Sequence, residues 1–228
     1  MASTYTPLGI ELQATGENAG TWGTKTNTNL SIIEQISGGY SAQSIAGGAQ
    51  TTTLSVSDGA TGAVMSHRMI EFTGTISGNQ IVTIPLDAQN FYFLRNSTSG
   101  AHTVQFKYAS GSGTSTTFST TDKGTKIVYA SANDGTNPDI VDVMANSSEI
   151  AVTNSNPIKF QDADNSAFVG IDAPATVTGS YTLTLPAAVG STSQVLVTTD
   201  GSGTLGFTST SSFGITTGKA IAMAMIFG

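Results

Sequence analysis

Few residues in this 228-residue sequence carry the chemistry of catalysis or metal binding. His67 and His102 are its two histidines, and each reads as a surface or strand-edge residue rather than a ligand. Cysteine is absent, which removes the thiolates a structural zinc site would use. Asp162-Ala163-Asp164-Asn165-Ser166 opens like a calcium loop. Yet Ala167 stands where the sharp turn needs Gly, and Ala173 where a bidentate Glu belongs. A solvated turn is the better reading. Asn133, Asp134, Asn137 and Asp139 offer oxygens, but the Asp-Gly and Asn-Pro steps among them are ordinary turn formers. Paired carboxylates can build a glycosidase; here the acids sit in turns, with few aromatic residues to grip a sugar. The Gly111–Gly113 tip has no Lys and no helix after it, so it is no phosphate cradle. No catalytic residue, metal site or cofactor is expected, and the chain is read as a non-enzyme.

The composition says what the residues are for instead. Only 10% are charged, against about 25% in an ordinary soluble domain. Ser and Thr together exceed a quarter, and Gly numbers 26. With 38% hydrophobic residues this is not the low-hydrophobicity, high-charge mixture of disorder. It suits many short strands joined by tight turns. The net charge is −7, with eight Lys and Arg and no cluster among them. Nucleic-acid binding, which needs clustered cations, is therefore not expected. The first residues lack a basic and an apolar region, so they do not read as a signal peptide. The longest apolar run, Ala220–Phe227, falls far short of the roughly 20 residues of a membrane helix, and membrane insertion is not expected. Without disulfides, oligomerisation is the obvious source of added stability.

Three regions follow in order. Residues 1–39 read as an arm and a helix. Leu8, Ile10 and Leu12 alternate with Gly9 and Glu11, the period of a strand. Gly16, Asn18 and Gly20 make a turn, Thr21 is positioned as N-cap, and Gly38-Gly39 ends the helix. Trp22, Thr26, Leu30, Ile33 and Ile36 fall on one helical face, a thin stripe that must bury against the chain's own strands or against another protein. Residues 40–148 carry about seven strand signals. Met69–Thr75 and Gln80–Leu86 flank a Gly-Asn step suited to a hairpin. An antiparallel β-sandwich or jelly-roll-like domain is expected, and no clean tandem period appears.

Residues 149–228 hold short strands at Ile158–Phe160, Ala167–Ile171, Tyr181–Leu185, Gln194–Thr198 and Thr204–Phe207, with too few large side chains for a core. The last residues alternate large and small. Ile221, Met223, Met225 and Phe227 would line one face of a final strand. Such a tail is expected to be buried between copies or in a partner.

Three places carry a resemblance. Thr15-Gly16-Glu17-Asn18-Ala19-Gly20-Thr21-Trp22-Gly23, followed by Thr26-Asn27-Thr28-Asn29-Leu30, resembles the N-terminal segment of tailed-bacteriophage fibre and virion proteins. Tyr181–Pro186 with Gln194–Phe207 is similar to a segment common in phage fibres, and Ile70–Gly74 with Asn96–Val104 to β modules of marine-type fibre proteins. The resemblance implies a homotrimer located in the virion. Leu8, Ile10, Leu12, Trp22, Leu30, Ile33 and Ile36 would attach it to other virion proteins of tail or capsid. Leu183, Leu185, Val195, Val197, Ile221, Met223, Met225 and Phe227 would line an intertwined trimer interface. The size of the chain favours a short tail fibre or fibre adaptor of the adsorption apparatus. A capsid decoration protein or head fibre is the alternative. A module that binds or degrades host surface glycan is the second alternative. The fold expected is mainly β throughout, with a single short helix.

Overall fold

A computed structural model describes residues 2–152, 156–213 and 225. The described residues are mainly β, as expected, with one long helix among them. It divides into two compact units, Met1–Ile150 and Ala151–Gly228.

The first unit opens with a small antiparallel hairpin, β1 (Thr4–Tyr5) with β2 (Glu11–Leu12), closed by a turn in which Gly9 donates to the Thr6 carbonyl. Helix α1 (Trp22–Gly38) follows and runs straight into β3 (Tyr40–Ser44). The link is tight: a Cβ on Gly39 would lie 2.7 Å from the Gln35 Cα and 2.9 Å from the His67 ring, so only Gly fits between them. Thr21 does precede the helix, but its hydroxyl donates back to the Asn18 carbonyl and does not cap.

The body of this unit is a pair of sheets entered alternately. β3, β5 (Met69–Thr73) and β7 (Asn90–Asn96) lie in one; β4 (Gln50–Thr53), β6 (Gln80–Ile84) and β8 (Val104–Tyr108) lie in the other. All four pairings among these six strands are parallel. The chain therefore winds as a short coil, each turn placing one strand in each sheet. Tyr40 pairs with Met69 and Gln50 with Gln80, whereas Met69 pairs with Phe93 and Gln80 with Val104. The first turn is thus about five residues longer than the second, and it holds the 3-10 turn Val64–Ser66.

The chain then reverses. β9 (Thr116–Phe118), β10 (Thr125–Ala130) and β11 (Ile140–Asp142) join antiparallel, giving orders β11-β10-β7-β5-β3 and β4-β6-β8-β9.

Two expectations are corrected. The two-layer β arrangement is present, but its centre is parallel rather than antiparallel. The segments around Met69–Thr73 and Gln80–Ile84 are not a hairpin: they sit in opposite sheets, joined at a corner. The reason lies in that corner. Ile45 and Ile76 turn inward and are buried, and the Gln80 amide donates to the carbonyls of Gly48 and Gly78 at 2.7 and 2.8 Å. These contacts hold the chain across the layers instead of letting it fold back in one.

Between the sheets Phe72, Tyr92, Phe106 and Phe118 are fully buried and meet at tilted or edge-to-face angles, with Met65, Ile70, Ile84 and Leu94 around them. The Tyr92 hydroxyl donates to the Met65 carbonyl and the Tyr108 hydroxyl to the Ala88 carbonyl, so both polar tips are satisfied. Burial pushes the Tyr92 phenol well above its usual range. This unit has a complete interior of its own.

The second unit is built differently. Hairpin β12 (Ile158–Gln161) with β13 (Phe168–Ile171) and hairpin β14 (Gln194–Thr198) with β15 (Leu205–Ser209) are each two-stranded. Residues 181–185 form no full strand; Thr184 alone bridges to Thr204, in parallel. No described residue of this unit is buried. Isolated two-stranded hairpins are marginal in water, and none of the unit's described residues buries their apolar side chains.

Candidate functional site

The segment 15–36 has a clear internal chemistry. Glu11 of the arm is buried and collects its polar residues: Asn18 donates to its carboxylate at 2.9 Å and Lys25 pairs with it at 3.1 Å. Asn29 accepts from the Glu11 backbone N–H and donates to the Glu11 carbonyl, both at 2.9 Å. The Asn18 amide, with Ser3 and Lys25 beside it, holds the Glu11 carboxyl below its usual range against the opposing pull of burial. Gly16, Asn18 and Gly20 all take positive φ, which carries the chain around this node into α1.

This node ties one side of the helix to the arm. Lys25 and Asn29 turn toward the arm, and the one buried helical residue is Ile32, 1% exposed. The stripe read from the sequence adjoins this side of the helix and is nevertheless largely exposed. Trp22 is 66% exposed and Leu30 58%, with Ile33 also exposed. Ile36 is half-buried. Leu30, Ile33 and Tyr40 line a hollow of about 790 Å³ together with Thr61 and His67. In the arm, Leu8 packs against the core, Ile10 is half-buried and Leu12 is exposed, so the alternation does not mark one buried face. Ile32 was missed by the periodicity; its signal was the spacing from Lys25 and Asn29, which matters only once Glu11 is known to gather them.

In the second unit Leu183 and Leu185 are exposed, Leu185 at 74%. Val195 is exposed and Val197 half-buried on one face of the β14–β15 hairpin. The register places Leu196 opposite Phe207 on the other face, and both are exposed. On β12–β13, Ile158 faces Ile171 and Phe160 faces Val169, an exposed apolar quartet that sequence reasoning did not single out. Its signal is cross-strand register, which no strand shows alone. Ile158 and Ile171 also border a hollow of about 530 Å³ with Pro174, Tyr181 and Leu183. Ile221, Met223 and Phe227 lie outside the described residues. Met225 is described: it is exposed and its backbone is helical, not the extended form expected there.

The acidic turns serve their own loops. Asp162 accepts from the Ser166 N–H and hydroxyl, and Asp164 accepts from the same N–H. Asp139 accepts from the Thr114 N–H at 2.7 Å and its hydroxyl at 3.0 Å, which holds its carboxyl below the usual range. His67 is buried and donates Nδ1–H to the Ala63 carbonyl. Among the described residues no group of three or more His, Asp or Glu is placed to hold a metal ion. None of their helices is long and apolar enough to cross a membrane. What the described surface offers is exposed apolar area, on α1 and across the second unit. No protein-family model, no curated protein and no solved structure matches the chain.

Proposed function

We propose that this chain is a non-enzymatic structural component of a bacteriophage virion, a short trimeric tail fibre or fibre adaptor of the adsorption apparatus. The observation that carries the reading is the contrast between its units. The first encloses eighteen buried apolar residues in one cluster; the second, over its described residues, encloses none while exposing Phe160, Leu185, Leu196 and Phe207. Apolar area of that extent is ordinarily covered. A narrow strand-turn unit covers its side chains most simply against copies of itself, and a closed three-fold ring does so without leaving an open edge. The exposed Trp22, Leu30 and Ile33 on α1 supply the attachment surface: an aromatic anchor with aliphatic neighbours. The wording of residues 15–30 and 181–207, which resembles fibre segments, supports the virion assignment.

Two measurements test it. Light scattering at micromolar concentration is expected to give three times the 23.2 kDa chain mass; a stable single-chain mass overturns the trimer. Immunogold labelling of particles is expected at the tail. Label on the head points to a decoration protein or head fibre instead, and no label on particles ends the virion reading.

A further inference from the structure

The five-stranded sheet carries apolar side chains on both sides, on the outer one beside a polar row of Glu71, Arg95 and Thr125. Its inner face packs the core. On its outer face the register sets Tyr40, Met69, Phe93 and Ile127 in one row across four strands, with Phe91 and Tyr129 in the next. Strand β7 states the case in sequence: Phe91-Tyr92-Phe93-Leu94 is apolar at consecutive positions, with Tyr92 and Leu94 buried and Phe93 exposed. A strand with water on one side alternates; a continuous apolar run belongs to a strand covered on both.

The charges on this face are balanced within it. Glu71 pairs with Arg95 at 3.5 Å and accepts from the Ser97 and Tyr40 hydroxyls. Arg68 lies against the Phe91 ring and donates to the Phe91 carbonyl at 2.9 Å. A surface fitted to a charged partner would show unmatched charge. This one holds Glu71, Arg95 and Arg68 on a chain of net charge −7, so two copies meeting through it avoid most of the chain's negative charge. Five strands about 4.8 Å apart and some 17 Å long give a face of roughly 400 Å². That is about half of what each partner buries in a stable complex. The face suits one contact in an assembly also held elsewhere.

We infer that the outer face of the five-stranded sheet packs against the same face of a second copy of this chain, with Phe93 near the symmetry axis. The inference rests on the proposal that copies associate, and adds which face of the first unit they share. In a closed ring, two-fold or three-fold, the centre of a face turned to the axis meets its own copy.

The chain has no cysteine, so one introduced thiol reports one position. Full-length Phe93→Cys and Ile127→Cys are treated with a short bis-maleimide, beside Thr51→Cys on the outer face of the other sheet. Circular dichroism confirms folding of each. Linked dimers are expected from the first two at least about tenfold faster than from Thr51→Cys, as high local concentration dictates. Equal rates in a chain that still scatters as a multimer overturn this inference alone and leave association through the second unit standing. Single-chain mass with no linking overturns both. A Phe93→Cys thiol that stays reactive and unlinked in purified multimer, but is shielded by added glycan or virion protein, assigns the face to that partner and also overturns it.

Discussion

Glu11 and Asn29, eighteen residues apart, hold each other by a reciprocal pair of hydrogen bonds, backbone N–H to side-chain oxygen and side-chain amide to backbone carbonyl, each 2.9 Å long. The pair fixes the arm to the helix. Trp22, Leu30 and Ile33 beside it remain exposed. Asn29→Ala removes both bonds and is expected to cost about 2 kcal/mol of arm docking. Limited proteolysis should then cut within the first twenty residues faster, while cleavage within the sheets stays unchanged. If the arm stays equally protected, the pair does not hold it.

The same node makes arm docking depend on pH. The Glu11 carboxyl sits lower in the folded chain than its usual value of about 4.3. Its contribution is therefore complete above that value and is lost as pH falls through the lower folded one. Arm protection is expected to fade below about pH 4, before the buried core responds. Glu11→Gln should remove the pH step, because the amide keeps its shape without the charge. A step that survives in that variant would assign it to another acid.

How much of this was readable in advance depends on the distance over which each signal acts. The helix bounds, the turn at residues 16–20 and most strands follow from local pattern. Strand direction does not. Tyr40 finds Met69 and Met69 finds Phe93 across unequal intervals, so the repeat of the coil is masked by the longer first turn. The helix stripe was visible, but the tie from Asn29 to Glu11 was not, because Glu11 is a single acid in a segment that reads as an alternating strand. Gln80 illustrates the same limit: fully buried at a corner, it is legible only once Gly48 and Gly78 are seen beside it. The exposed quartet on β12–β13 is a property of pairing, not of either strand.

Truncation should separate the two units. Phe72→Ala empties a fully buried site between the sheets and is expected to cost about 3–5 kcal/mol in denaturant unfolding. Leu185→Ala removes a side chain that touches mostly solvent within its own chain and should change single-chain stability by less than about 0.5 kcal/mol. Its effect is expected in the assembly instead, as a higher concentration needed for trimers by sedimentation. Equal losses in both measurements would mean that the second unit is packed as the first is.

The corners of the coil give a sharper test of the fold. A Cβ on Gly100 would lie 2.1 Å from the Ile76 carbonyl oxygen, and Gly100 has φ of +99°. Gly100→Ala meets both obstacles at once, so the corner must open. The expected loss is at least about 1–3 kcal/mol, read from the urea midpoint at unchanged slope. Gly62→Ala, whose Cβ meets nothing within 4 Å, carries the positive φ without the clash and should cost less. If the two variants lose the same amount, the close approach of successive turns contributes nothing.

Trp22 carries the last prediction, because it is the only tryptophan and its fluorescence reports one place. At 66% exposure its emission in the free chain is expected to be that of an indole in water. Docking on a virion partner should shift that emission to the blue, since the ring leaves water. Trp22→Ala is expected to leave the unfolding midpoint of the first unit unchanged, within about 0.5 kcal/mol, because the ring supports little of its own chain. The same variant should enter particles at least about tenfold less well, the loss typical of truncating an aromatic anchor. A variant that melts early shows that the ring is needed for folding. A variant that is taken up as the parent chain is moves the attachment surface away from α1, to Leu12 or to the second unit.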